Sequence, residues 1–169
     1  MTGAAMDDPP EDGGRGGGAD GGSHAAPRMP GSILFLCGQN AIRSPMAEVL
    51  ARHILPDRVL VRSAGLNSGT RDPFVDAVIA EAGLPLVPHD PHALDEIEDD
   101  LIDVVVALTP AAAVRAGELA RTASIEVLTW DIPDPSLAEG RRDTVLAAYR
   151  EVRDQLDALI REHFGARRD

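Results

Sequence analysis

Residues 33–48 read ILFLCGQNAIRSPMAE, and this stretch decides the fold. Its first residues, Ile33 to Leu36, form a continuous apolar run, which predicts a strand buried on both faces as in a parallel sheet. Ser44-Pro45 is typical of a helix start, because the hydroxyl can cap the first turn and proline fits the first helical position. The stretch therefore predicts a strand, then a tight polar loop, then a helix.

The predicted loop opens with the only cysteine of the chain, Cys37, and closes with Arg43 and Ser44. Open α/β sheets place ligands where strands end and helices begin, and the free amides and positive dipole of the helix start favour anions. The planar fork of Arg43 suits two phosphate oxygens. Helix N-termini and nearby arginine favour the thiolate form of cysteine, so we expect Cys37 to be ionised near neutral pH and Ser44 to donate to it.

Apolar runs alternate with helical patterns along the rest of the chain. Further strands are predicted at 58–62, 103–108 and 125–128, and the last helix at 141–163. Such alternation predicts an α/β fold with three layers, in which a doubly wound sheet of four parallel strands is flanked by helices.

Composition bounds the rest of the interpretation. Residues 1–31 are rich in Gly, Ala, Asp and Pro and are predicted to be a disordered tail, which leaves one domain at 32–166. A formal charge of −12 and 3% aromatic residues argue against nucleic-acid binding. Neither an apolar run of about 18 residues nor a signal-peptide core is present, so we expect no membrane association and a cytoplasmic location.

The loop motif resembles the active-site loop of the low-molecular-weight protein tyrosine phosphatases, whose fold is shared by thioredoxin-linked arsenate reductases. The matching loop positions are Cys37, Asn40, Arg43, Ser44, Pro45, Ala47 and Glu48. Three further segments resemble the family: Arg62-Ser63-Ala64-Gly65, the stretch from Ala82 to His89, and Asp131-Ile132-Pro133-Asp134-Pro135. The resemblance covers the whole predicted domain and implies a phosphatase-I-like fold.

The resemblance also implies a mechanism. Cys37 would attack phosphorus to give a phosphocysteine, Arg43 would hold the phosphate, and Asp134 would act first as general acid and then as general base. The residues implied to bind phosphate are Gly38, Gln39, Asn40, Ala41, Ile42, Arg43 and Ser44. Asn40, Ser63 and His89 would support the loop, and neither a metal nor a cofactor is required.

Two residues beside the implied acid admit more than one interpretation. Trp130 is either an aromatic wall of the cleft or an anchor in the core. Asp131 competes with Asp134 as the acid, although the family's Asp-Pro pair favours Asp134. His89 and His92 are not interpreted as a metal site, because no third ligand is evident.

This sequence departs from the family pattern at three places. Ile42 replaces the second loop cysteine, so a disulfide within the loop is impossible. Gln39 replaces the loop glycine. Ser136-Leu137 replaces the tyrosines that wall the cleft in many members, which puts a preference for phosphotyrosine in doubt.

The leading hypothesis is therefore a phosphomonoester hydrolase, active as a monomer on a phosphoprotein or a small phosphoester. An arsenate reductase is the first alternative, and it would need an external thiol because the chain has a single cysteine. A noncatalytic phosphate-binding module is the second alternative, supported only by Gln39.

Overall fold

A computed structural model describes residues 29–85, 89–97 and 101–165. In chain order, its strands and helices are β1 (Ser32–Cys37), α1 (Arg43–Ile54), β2 (Leu60–Gly65), α2 (Pro73–Glu81), β3 (Val104–Ala107), α3 (Pro110–Ala120), β4 (Glu126–Thr129) and α4 (Arg142–Phe164). Short 3-10 turns lie at Leu94–Glu96 and Pro135–Leu137. The disorder predicted for residues 1–31 falls, up to residue 28, outside the described residues.

The four strands form one parallel sheet in the order β2-β1-β3-β4. Every residue of β1 is buried, because this strand has a neighbour on each side and helices over both faces. The continuous apolar run from Ile33 to Leu36 is the pattern that such a position produces.

Alternate side chains of β1 enter two separate apolar cores. Ile33 and Phe35 pack with residues of α1, α2 and α4 on one face of the sheet. Leu34 and Leu36 pack with residues of α3 on the other face. The predicted three-layer, doubly wound α/β fold is thereby confirmed.

The second strand differs from its predicted bounds. It was expected at 58–62, whereas β2 runs from Leu60 to Gly65. It pairs with β1 residue by residue, from Ser32 opposite Leu60 to Cys37 opposite Gly65, so it ends level with the end of β1. Ser63 consequently lies inside the strand and not in the turn that follows it.

Because all four strands run the same way, their carboxyl ends meet at one edge of the sheet. That edge carries the loop after β1, the connection after β2 and the segment after β4. Within the described residues, no helix is both long and apolar enough to cross a membrane.

Candidate active site

A cavity of about 310 Å³ opens at this edge of the sheet, above the end of β1. The loop after β1 forms its floor and the segment after β4 forms one wall. The lining residues are Cys37, Gly38, Gln39, Ala41, Ile42, Arg43, Asp134 and Ser136. The structure thus brings the predicted nucleophile, arginine and acid to one cavity.

The backbone of the loop is turned so that it can receive an anion. The carbonyl oxygens of Cys37, Gly38 and Gln39 accept hydrogen bonds from the amides of Leu66, Asn67 and Gly69, at 2.8–3.0 Å. Since peptide units are planar and trans, the amides that follow these carbonyls point away from that segment. The loop therefore offers successive N–H groups next to the N-terminus of α1.

The start of α1 differs from the prediction made for Ser44. The helix begins at Arg43, Ile42 occupies the N-cap position, and no side chain caps the first turn. Ser44 is buried within the first turn, and its hydroxyl oxygen lies 2.9 Å from the sulfur of Cys37. The free N-terminus of α1 keeps its amides available to a ligand, and Ser44 contacts the predicted nucleophile.

Asn40 is the buried centre of the loop's support. Its backbone has a φ of 54°, a left-handed conformation that asparagine tolerates better than most residues. Its Nδ2 donates to the hydroxyl oxygens of Ser44 and Ser63, each at 2.9 Å. Its Oδ1 accepts from the amide of His92 at 3.1 Å. These three bonds tie the loop to α1, to β2 and to the segment before β3.

His89 braces the same loop from outside. Its Nε2 lies 3.0 Å from the carbonyl oxygen of Asn40, and since a carbonyl can only accept, this nitrogen carries a proton. Its other ring nitrogen lies 3.9 Å from a carboxylate oxygen of Glu48. The structure therefore places Ser63 and His89 against the loop, where the resemblance implied them.

Glu48 belongs to this network, although sequence reasoning gave it no role. It is 8% exposed and accepts a hydrogen bond from Ser63. It also forms an ion pair with Arg52, with 2.6 Å between nitrogen and oxygen. A buried carboxylate is costly unless it is paired in this way. The available signal was a charged residue on the apolar face of α1, with arginine one turn later.

Arg43 joins the start of α1 to the segment after β4. One guanidinium nitrogen donates to the backbone carbonyl of Ile132 at 3.0 Å. The side chain is half-buried in the cavity wall, and its remaining N–H groups can serve a bound anion.

Asp134 lines the same cavity as Cys37, and Asp131 does not. Asp131 is exposed to solvent, whereas Asp134 is half-buried and caps the 3-10 turn that follows it. Ser136 donates to Asp134 through both its amide and its hydroxyl. Of the two candidate acids, geometry favours Asp134.

Trp130 belongs to the core and is not a wall of the cleft. It is 5% exposed, and its ring packs against those of Phe35, His163 and Phe164, with centroids 5.2–6.2 Å apart. The lining of the cavity, over the described residues, contains no aromatic side chain.

Tyr149 of α4 lies buried near the segment after β4, which carries Asp134. Its hydroxyl donates to the Asp72 carboxylate at 2.6 Å, and Asp72 also caps α2. Burial raises the pKa of Tyr149 well above its usual value, and the negative charges of Asp72 and Asp134 add to this effect. The phenol is therefore a neutral hydrogen-bond donor at physiological pH.

The family model for low molecular weight phosphotyrosine protein phosphatase matches residues 32–167. An arsenate reductase of Shouchella clausii is 32% identical over 133 residues, which cover 77% of this chain and 92% of that protein.

Two solved structures are similar in fold and sequence. A YwlE mutant from Bacillus subtilis is 29% identical, with a TM-score of 0.65 over 78% of this chain and 94% of that one. The YwlE arginine phosphatase from Geobacillus stearothermophilus is 28% identical, with a TM-score of 0.63 over 78% and 88%. With most of its length matched by the family model, the chain belongs to the low molecular weight phosphotyrosine protein phosphatase family.

Proposed function

We propose that the protein is a phosphohydrolase that works through a phosphocysteine intermediate on Cys37. The observation that carries this proposal is one cavity lined by a cysteine, an arginine and a carboxylate, with a helix N-terminus at its floor. The noncatalytic alternative would need a missing group, and none of the three is missing.

In the first step, the Cys37 thiolate attacks phosphorus, and the bond from phosphorus to the leaving oxygen breaks. Asp134 gives its proton to that oxygen, while Arg43 and the loop amides hold the other three oxygens. A hydrogen bond from Ser44 stabilises the thiolate before attack.

In the second step, water attacks the phosphorus of the phosphocysteine. Asp134, now a carboxylate, accepts the proton of the water, and the bond between phosphorus and sulfur breaks. Inorganic phosphate leaves, and Ser44 again donates to the sulfur as its negative charge returns. No residue other than these is needed to balance protons and charge.

The chemical class of the leaving group is a separate part of the proposal. The described lining lacks an aromatic wall, which gives a phosphotyrosine ring no surface for stacking. A structural neighbour is named an arginine phosphatase, and with phosphoarginine the bond from phosphorus to the guanidine nitrogen would break while Asp134 gave its proton to that nitrogen. We propose phosphoarginine in proteins as the first substrate to compare with phosphotyrosine.

Arsenate reduction is the second candidate, because a relative over most of the chain carries that name. Arsenate has the shape and charge of phosphate, so the Cys37 thiolate would attack arsenic while one arsenic–oxygen bond breaks and Asp134 protonates the oxygen that leaves as water. An external thiol would then attack Cys37 sulfur, giving a mixed disulfide and releasing arsenite. A second external thiol would restore Cys37, since the chain has no other cysteine.

The test of the proposed function is hydrolysis of 4-nitrophenyl phosphate by the wild type and by Cys37→Ser, with EDTA present. We expect turnover that survives EDTA and disappears in Cys37→Ser. Binding of inorganic phosphate by Cys37→Ser, measured by calorimetry, shows that the variant is folded. Turnover retained by Cys37→Ser would overturn the proposal, and release of arsenite with an added thiol but no phosphate release would favour the second candidate.

A further inference from the structure

The two carboxylate oxygens of Asp134 have different surroundings. Oδ1 accepts a hydrogen bond of 2.9 Å from the Ser136 amide and another of 2.6 Å from the Ser136 hydroxyl. Among the described residues, Oδ2 takes part in no hydrogen bond. Ser136 therefore gives two hydrogen bonds to one oxygen of the general acid proposed above, which lines the cavity, and none to the other oxygen.

This asymmetry decides where a proton on Asp134 resides. A protonated carboxyl group has one O–H donor, and its carbonyl oxygen keeps its acceptor capacity. An oxygen that already accepts two hydrogen bonds is the better carbonyl oxygen, so the proton is held on Oδ2. The proton must face the leaving group when the bond to phosphorus breaks.

We propose that Ser136 is a positioning residue that fixes Asp134 with Oδ2 as the proton-delivering atom. This inference rests on the proposed function, because it assigns Ser136 a role only through Asp134. Pro135 lies between the two residues and restricts the backbone that joins them. Sequence reasoning noted Ser136 only as the absence of an aromatic wall.

A purely structural role for Ser136 makes a different prediction. The hydrogen bond from the Ser136 amide to the N-cap residue Asp134 already caps the short turn at Pro135–Leu137, so the turn does not require the hydroxyl. Ser136 is exposed, so Ser136→Ala opens no buried cavity, and the variant keeps the hydrogen bond from the backbone amide to Asp134. The variant therefore removes one hydrogen bond to Asp134 and little else.

The experiment compares two aryl phosphates with leaving groups of different acidity. Phenyl phosphate needs a proton from the acid, whereas dinitrophenyl phosphate expels a stable anion and needs much less help. We expect Ser136→Ala to lower kcat/KM for phenyl phosphate about 5- to 10-fold, the worth of one hydrogen bond. For dinitrophenyl phosphate we expect a change of about twofold or less, since acid catalysis is not limiting there.

Three controls separate this proposal from the proposed function. Ser136→Thr keeps a hydroxyl, so its kcat/KM for phenyl phosphate should match that of the wild type. Adding Ser136→Ala to Asp134→Ala should cause no further loss, because the residue acts through Asp134. Cys37→Ser should abolish hydrolysis of both substrates.

Equal losses on both substrates would overturn the positioning role, and so would full activity of Ser136→Ala on phenyl phosphate. Either result leaves the proposed function intact as long as Cys37→Ser is inactive. If hydrolysis of both substrates survives in Cys37→Ser, the proposed function fails, and the role of Ser136 fails with it.

Discussion

The Ser44 hydroxyl has one proton to donate and two acceptors within reach. The sulfur of Cys37 lies 2.9 Å from its oxygen, and the carbonyl oxygen of Ala64 lies 3.2 Å away. A neutral thiol can donate to Ser44, which then donates to Ala64. A thiolate can only accept, so Ser44 must turn its proton towards Cys37. The hydroxyl can therefore respond to the charge on sulfur without any movement of the backbone.

Asp134 supplies the first prediction at the residue scale. Asp134→Asn removes the proton donor and the later base, and we expect kcat to fall by roughly 10²–10⁴-fold, the usual worth of a positioned acid. Asp131→Asn is the matched control, because Asp131 is exposed and does not line the cavity. Steady-state kinetics on phenyl phosphate measures both, and a loss confined to Asp131→Asn would move the acid to that residue.

Gln39 and Gly69 form a complementary pair, with a large residue facing one that lacks a side chain. A Cβ at Gly69 would lie 2.7 Å from Cβ and 2.8 Å from Oε1 of Gln39. The glycine that the family keeps in the loop is absent here, and Gly69 makes room for its replacement. Gln39 thus stays at the cavity wall instead of filling the site.

We expect Gly69→Ala to destabilise the protein by about 1–3 kcal/mol, the usual result of overpacking. Gln39→Gly in the same chain should recover most of this loss, because it removes the colliding atoms. Gly117→Ala is the control, since a Cβ there meets nothing within 4 Å. Urea denaturation measures all of these variants, and a Gly69→Ala protein as stable as Gly117→Ala would refute the pairing.

At the scale of elements, the loop after β1 keeps its shape because other elements hold it. Glu48 of α1, Ser63 of β2 and His89 all connect, directly or through one atom, to Asn40. An anion-binding loop must keep its amides converging without an anion, and left-handed backbone at Asn40 has an energetic cost of its own. The network supplies the compensating contacts.

Asn40→Ala tests this arrangement. The variant loses three hydrogen bonds, two of them buried, and keeps a side chain at a φ of 54°, so we expect a loss of about 2–4 kcal/mol in unfolding free energy. Binding of phosphate should weaken as well. Asn67→Ala, at an exposed asparagine, is the matched control. If thermal and urea denaturation show no difference between the two variants, the loop does not depend on Asn40.

Elements could be predicted from the sequence because their signals are local. The apolar run from Ile33 to Leu36 acts within a few residues, and the buried strand that it predicts was confirmed. The Ser44 cap was wrong because its hydroxyl prefers partners in β1, β2 and the loop. The end of β2 was missed because pairing with β1 sets it. Glu48 was missed because its partners lie up to 41 residues away in β2 and beyond.

At the scale of the whole molecule, α4 contacts both α2 and the segment after β4, which carries Asp134. Tyr149 bonds to Asp72 at the start of α2, and Arg150 pairs with Glu81 at its end. α4 also packs against the turn at Pro135–Leu137. The three-layer order was predictable from alternation, whereas the two contacts of α4 with α2 join residues 77 and 69 positions apart and left no local signal.

Tyr149 predicts how stability changes at alkaline pH. Its pKa is raised in the folded protein, so the native state keeps a proton that the unfolded state releases above about pH 10. The contribution of Tyr149 to the free energy of unfolding is therefore complete below that pH, and it falls as the pH rises further. The chain has one tyrosine and no lysine, so this group dominates that pH range.

We expect tyrosinate absorbance to appear together with loss of helical circular dichroism as the pH is raised. Tyr149→Phe should remove the absorbance change, flatten the alkaline fall, and cost about 1–2 kcal/mol at neutral pH. Ionisation of Tyr149 near its ordinary pKa in a fully folded protein would contradict its burial and its bond to Asp72.

The most direct test of the central claim is to trap phosphate on Cys37. Asp134→Asn can still accept phosphate from dinitrophenyl phosphate, because that leaving group needs little acid, yet the variant lacks the base that hydrolyses the intermediate. We predict a burst of about one dinitrophenol per chain and a phosphoryl group that mass spectrometry of the quenched protein locates on Cys37. Turnover with no bound phosphoryl group, or a phosphoryl group on another residue, would contradict the account.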